Sequence, residues 1–402
     1  MTTDLVLTRQ VQAAKHGLEA RGSEMFSRKP VSKALAARGF AAVTLALATL
    51  LVAGCASAPP PVEEPKLVWP APPEPPRIQF VRSITSQEDL KADTTFTAAM
   101  ATFLAGEQIP DGRIASPAGL AVSADGQRLY VADPLQHKLF TFDFAKKELR
   151  QIDVGYPTGV ALDDQENIYV VDGVKKGVSV FDSMGKPLRE INDQSMTRPN
   201  GIAVDSKRDR VYVVDTGNSE APEQNVKIFD RSGKRIGAIG GASGGDFGQF
   251  SYPTYVTLDA EGNVYVTDTL NARIQKFDHE GKFITSIGKA GSNWGQFDKP
   301  KGVALDTFGN VYVVDTSWSN VQIFNPKGEI LLFFGGRGPI PGMMKNPLSI
   351  AIDKNNRIYV GDYLNHRIGV YQLVNTKAED SFITPVAPNP SAQKGATKGT
   401  AQ

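Results

Sequence analysis

The chain has 402 residues, 22% of them charged and 41% hydrophobic, with a formal net charge of +1. That balance belongs to a globular protein with apolar material for a large core. Beyond residue 55 there are 37 Lys and Arg against 40 Asp and Glu, so the body has no basic footprint for nucleic acid. A single cysteine, Cys55, excludes an internal disulfide, a Cys-x-x-Cys metal or redox site, and covalent haem attachment through Cys-x-x-Cys-His.

The first element in chain order is an address. Residues 39–54, GFAAVTLALATLLVAG, are an apolar run preceded by Arg28, Lys29, Lys33 and Arg38. This is the pattern of a signal peptide, here 1–54, and the run is shorter than the roughly 20 residues of a membrane span. Val52-Ala53-Gly54-Cys55 resembles a bacterial lipobox. The resemblance implies cleavage before Cys55 and lipidation of its thiol and new amino group, which would anchor the protein in a membrane. Ala56 resembles the outer-membrane sorting residue of such proteins, so the expected location is the bacterial outer membrane, facing the periplasm or the cell surface. Met25 gives a signal peptide of ordinary length and is the expected start. Residues 55–76 carry nine prolines and predict a semi-rigid polyproline II spacer. Residues 77–84, RIQFVRSI, alternate as one strand does, and 86–110 read as a helical connector.

From residue 117 the chain repeats itself. Six copies begin at a proline and end in Tyr-Val-x-Asp or a close variant, running 117–133, 157–172, 199–215, 253–268, 300–315 and 347–362. Each copy opens on a slim strand, with Gly119 and Ala121, Gly159 and Ala161, Gly201 and Ala203, or Gly302 and Ala304. A continuous apolar strand follows, as in Val311-Tyr312-Val313-Val314, and such runs imply burial on both faces. Turns such as Asp259-Ala260-Glu261-Gly262-Asn263 supply residues that tolerate left-handed backbone. The wording of the copies, with Asn365-His366-Arg367-Ile368 and Asn271-Ala272-Arg273-Ile274 after the aspartate, resembles the NHL repeat. The resemblance covers 117–373 and implies an all-β fold, a six-bladed β-propeller with four strands per blade. The sixth copy lacks a fourth strand, so residues 77–84 are expected to close that blade and remove an exposed edge. Residues 375–402 are polar and of low complexity, as in a disordered tail.

Candidate functional residues follow from this frame. The long connections 240–252, 288–299 and 335–346 share a face with the loop 216–225, and rigid scaffolds carry function on loops. Phe250, Tyr252, Tyr255, Trp294, Trp318 and Arg337 are the expected exposed anchors of a partner-binding face. The aspartates Asp133, Asp172, Asp215, Asp268, Asp315 and Asp362 recur once per blade and are expected to cap loop amides. A ring of carboxylates leaves open a structural divalent cation, and otherwise no cofactor is expected. His137 and His366, four residues after equivalent aspartates, form a weaker alternative metal pair. No Gly-x-Ser-x-Gly nucleophile motif is present. The expected role is a non-catalytic protein–protein interaction scaffold with an envelope protein as partner. The segment WPAPPEPPRIQFVRSI looks like NHL lipoproteins of bacteria that carry multihaem cytochromes, which implies a place beside an electron-transfer or secretion system. The alternative is a metal-dependent propeller enzyme, a lactonase-like hydrolase or a lyase.

Overall fold

The structure, a computed structural model, describes residues 67–91, 112–218 and 223–376. The signal peptide, Cys55, the linker to residue 66, the connector from 92 to 110 and the tail from 377 lie outside the described residues.

Six antiparallel sheets make six blades. Blade one runs Gly119–Val122, Arg128–Asp133, Lys138–Asp143 and Glu148–Asp153, from the innermost strand outward. Blades two to five repeat this order from the inner strands Pro157–Leu162, Pro199–Asp205, Pro253–Leu258 and Pro300–Leu305. The inner strands touch in cyclic order, with that of blade six, Pro347–Ile352, against that of blade one. This is a closed six-bladed β-propeller.

The blades look as they do because of where each strand falls. Second strands such as Ile168–Asp172 and Val311–Asp315 are buried at every residue, whereas the outer strand Glu148–Asp153 is mostly accessible. Six apolar clusters fill the six seams between adjacent blades. Near the axis there is no room for side chains on one face of the inner strand. A Cβ on Gly119 would lie 2.7 Å from the Thr158 carbonyl oxygen, and one on Gly201 would lie 2.6 Å from that of Thr254.

The ring closes as the sequence predicts. Ile78–Ile84 is the outer strand of blade six, antiparallel to Arg367–Leu373, with Ile78 opposite Leu373 and Ile84 opposite Ile368. Ile78 is buried in the seam between blades five and six, and Ile84 in that between six and one. Each such side chain contributes about 1.5–3 kcal/mol by its burial, so the closing strand holds two seams at once.

Two boundaries differ from expectation. The proline-rich spacer does not run free to residue 76: Val68–Trp69 adds a fifth strand beside Ile78–Ile84. Trp69 packs its indole against Phe334 and Tyr371, both at 5.9 Å. The tryptophan supplies apolar area that the surrounding prolines lack. At the other end Asn375 still belongs to the fold, where its side-chain amide donates to the Pro76 carbonyl at 2.9 Å. Of the predicted connector, Gln87–Leu90 is a single 3-10 turn capped by Ser86.

Candidate functional site

The end of the propeller where the long connections meet is held by the recurring aspartates. Asp133 accepts from the backbone N–H of Ala115 and Ser116 and from that of Gln136. It thereby ties the connection entering blade one to that blade's own loop. Asp172 does the same for Gly155, Tyr156 and Val174, and Asp315 for Asp298, Lys299, Ser317 and Trp318. Asp215 accepts from Thr197 and Arg198 and pairs with the buried Lys227 at 3.0 Å. Burial pushes the Asp215 carboxyl up, but those two amides and the Lys227 ammonium outweigh it, and its pKa falls below the ordinary value. At Asp315 and Asp362 burial wins and the pKa rises.

The asparagine and arginine after the aspartate brace the glycine-rich connections. In blade four Asn271 donates to the Gly244 carbonyl and to Asp268, while Arg273 reaches Asp268 at 2.8 Å and the carbonyls of Asp246 and Gln249. Blade six repeats the set, with Asn365 on Gly338 and Asp362, and Arg367 on Asp362, Ile340 and Met343. These motif residues therefore shape the glycine-rich loops.

His137 and His366 occupy the left-handed position four residues after the aspartate, with φ of 55° and 52°, where Lys176, Ala272 and Ser319 stand in other blades. His137 Nδ1 lies 2.5 Å from the Gly155 carbonyl, and His366 Nδ1 lies 2.6 Å from that of Ala115. A carbonyl only accepts, so each Nδ1 carries the proton and stitches its blade to the next one. Among the described residues no group of three or more His, Cys, Asp or Glu side chains is placed to share a metal ion.

The predicted aromatic anchors divide. Trp294 and Trp318 are exposed, at 65% and 43%, and Arg337 is exposed with its guanidinium on the Ser317 carbonyl. Trp294 lies toward the outer edge, edge-on to Phe333 at 4.9 Å. Tyr252 is half-buried, with the Arg198 guanidinium 5.2 Å and the Lys301 ammonium 4.9 Å from its ring centre. Phe250 is a correction: it is fully buried against Phe277, because the Gly-x-Phe connection turns back on itself, bridging Ser243 to Phe250, and carries this ring into the seam between blades three and four. Phe297 and Met344 hold the equivalent buried place in the next two connections. Tyr255 is a second correction. It stands on an inner strand where Gly119, Gly159, Gly201, Gly302 and Ser349 stand in the other blades. Its hydroxyl crosses the axis to donate to the Ala118 carbonyl of blade one at 2.5 Å. Burial raises its pKa well above the ordinary phenol, so it acts as a neutral donor that plugs the axis.

Below Tyr255 the axis is a channel of about 340 Å³. It is lined by the six inner strands, among whose residues are Leu120, Val160, Ile202, Val256, Val303 and Ile350. At the far end Val122, Leu162, Val204, Leu258, Leu305 and Ile352 are all half-exposed and form a ring. Beyond it lies a set of recurring residues that sequence reading passed over: Ser123, Asp163, Asp205, Asp259, Asp306 and Asp353, one per blade. They cap their own turns, as Asp306 does for the amides of Phe308 and Asn310. Several also take the hydroxyl of a buried second-strand tyrosine, such as Tyr312 at 3.1 Å. Their fixed place six residues after each inner proline is the signal that could have found them.

Comparison with known proteins accords with this architecture. A model of the NHL repeat matches residues 196–220, 250–277 and 344–371, and a model of the SMP-30/gluconolactonase/LRE-like region matches 99–193. The chain is an NHL-repeat β-propeller with six blades. The protein brain tumor of Drosophila melanogaster is 23% identical over 137 residues, which is 33% of this chain and 12% of that protein, so the chain spans only a small part of that relative. Among solved structures, a protein of unknown function from Bacteroides thetaiotaomicron VPI-5482 aligns with a TM-score of 0.53 at 14% identity, over 66% of this chain and 71% of that one. An auxiliary nutrient binding protein from the same organism aligns with a TM-score of 0.51 at 14% identity, over 64% and 69%. At these identities the likeness is one of fold.

Proposed function

We propose that the protein is a lipid-anchored, non-catalytic scaffold of the bacterial envelope. Cys55 is the anchor, and the loop end of the propeller presents the docking face to an envelope protein. The observation that carries this reading is a set of exposed apolar tips at equivalent loop positions: Leu135, Val174, Leu270, Trp318 and Leu364. Each follows its blade's aspartate by two or three residues. The braces beneath these loops hold the tips still, so a partner meets a preformed surface. Aromatic and aliphatic side chains held out in water on one face mark an interaction surface. The lipobox resemblance and Ala56 support an outer-membrane location, and the linker's likeness to cytochrome-associated lipoproteins supports a role beside electron transfer or secretion.

Cross-linking of the native protein in envelope membranes, followed by capture, tests the reading. A stoichiometric envelope protein is expected, and it should be lost on Trp318→Asp or Leu364→Asp while the thermal melt is retained. Cys55→Ser should release the protein from the membrane fraction. Capture unaffected by both face variants would overturn the docking face, and unchanged membrane association of Cys55→Ser would overturn the anchor.

The match of 99–193 to the SMP-30/gluconolactonase/LRE-like region favours a second reading, a metal-dependent hydrolase or lyase. The described channel wall offers that chemistry only the hydroxyls of Tyr255, Thr257 and Ser349 among its side chains. One tightly held divalent ion per chain in the captured sample would decide for the enzyme.

A further inference from the structure

Repetition separates structural residues from the rest of this molecule. The residue before each inner proline is Ser116, Tyr156, Arg198, Tyr252, Lys299 and Asn346, and the residue after it is Ala118, Thr158, Asn200, Thr254, Lys301 and Leu348. A role in building the blade would recur at these positions. The cations do not recur; they come from blades three and five alone, on the two sides of Tyr252.

Their setting is unusual for surface charge. Arg198 and Lys301 share the Tyr252 ring, at 5.2 and 4.9 Å from its centre. That contact fixes both cations by attraction to the ring quadrupole. Among the described residues none of Arg198, Lys299 and Lys301 forms an ion pair, and the Lys301 ammonium makes no hydrogen bond. Lys301 is half-buried, and burial together with the neighbouring Arg198 and Lys299 charges pulls its pKa down to about 8. Gathering like charges that no ion pair offsets is unfavourable. An anion seated there would relieve the repulsion.

We propose that the loop mouth of the axis, directly above the Tyr255 plug, is a binding site for a carboxylate-bearing ligand held by Arg198 and Lys301, with Lys299 at its rim. The planar guanidinium takes a carboxylate through two parallel N–H donors, and the ammonium serves as a point charge on a second oxygen or a second carboxylate. The tyrosine keeps the two donors apart and aimed before the ligand arrives. Such a ligand is either a free di- or tricarboxylic acid or an acidic peptide segment. This site goes beyond the scaffold reading and does not require it, because it is measured on the purified chain without a partner.

The test is calorimetric titration of the full-length chain in detergent with citrate, with a hexa-aspartate peptide and with inorganic phosphate. One of the carboxylate probes is expected to bind one per chain. Lys301→Met and Arg198→Gln should each weaken it about tenfold or more, as loss of a charge-assisted hydrogen bond implies. Lys301→Arg should keep most of the affinity, and Lys186→Gln, in an exposed turn of blade two at the opposite end of the propeller, should leave it unchanged. Tighter binding of citrate identifies a free acid, and tighter binding of the peptide an acidic segment; either supports the site. Absence of binding by both, tighter binding of phosphate than of both, or affinity indifferent to Lys301→Met and Arg198→Gln in folded protein would overturn it.

Discussion

The two ends of the propeller axis use the same kind of residue for different ends. At the turn end, Ser123 or an aspartate caps its own short turn in every blade, and a six-membered aliphatic ring surrounds the channel. Each blade there is nearly a copy of its neighbour. At the loop end the aspartate of each blade bridges two separate segments, so the connections above it can lengthen and vary. The irregular features are laid over that regular layer: Tyr255 across the axis and the Arg198–Tyr252–Lys301 cluster. A repeat protein builds its frame by repetition and places recognition where one blade departs from the others.

The largest expected effect breaks the regular layer at the loop end. Arg367→Met leaves Asp362 buried without its partner and should cost about 3–5 kcal/mol, read as a fall in urea midpoint at unchanged slope. If Arg367→Met were neutral, the motif arginine would not be the brace described here. The turn end gives a sharper and smaller contrast. Tyr312 donates to Asp306, whereas the buried Tyr130 hydroxyl makes no hydrogen bond. Tyr312→Phe should therefore cost about 1 kcal/mol and Tyr130→Phe close to nothing or less. Equal losses would show that the tyrosines act through packing alone. Tyr255→Phe isolates the one hydroxyl that crosses the axis, and its expected cost is likewise about 1 kcal/mol. The same substitution should speed hydrogen exchange of the Ala118 and Gly119 amides relative to Gly201.

The smallest effect is a pH dependence. Lys301 is held near 8 in the folded chain and returns toward its ordinary value of 10.5 when unfolded. Between those values the unfolded chain binds more protons, so stability rises with pH across the window. The group is only half-buried and partly screened, so the gain should stay below about 1 kcal/mol. Urea melts at pH 7.5 and 9.5 should show the native chain gaining on Lys301→Met. If the native chain did not gain on the variant between these pH values, Lys301 would not be held down by burial and by the Arg198 and Lys299 charges.

Much of this frame was legible before any coordinates. Six prolines and six terminal aspartates marked the blades, and a lone alternating strand at 77–84 matched a lone missing strand at the end. These features are local and repeated, so each copy reinforces the reading of the others. The candidate site was less legible. Phe250 and Tyr255 read as loop aromatics because a one-dimensional pattern does not say whether a ring beside glycines turns outward or inward. Trp69 carries no local sign of its packing among the prolines, because its partners, Phe334 and Tyr371, are far along the chain.

The sequence by itself determined the number of blades, the slim inner strands, the buried second strands and the way the ring closes. Each follows from side-chain volume and polarity at a fixed repeat position. Only the tertiary structure decided what meets at the axis. Tyr255 and Ala118 are 137 residues apart, and Arg198, Tyr252 and Lys301 come from three different blades. Bending the chain into a closed ring brings every inner strand to one line, and that convergence creates neighbours which no local pattern encodes.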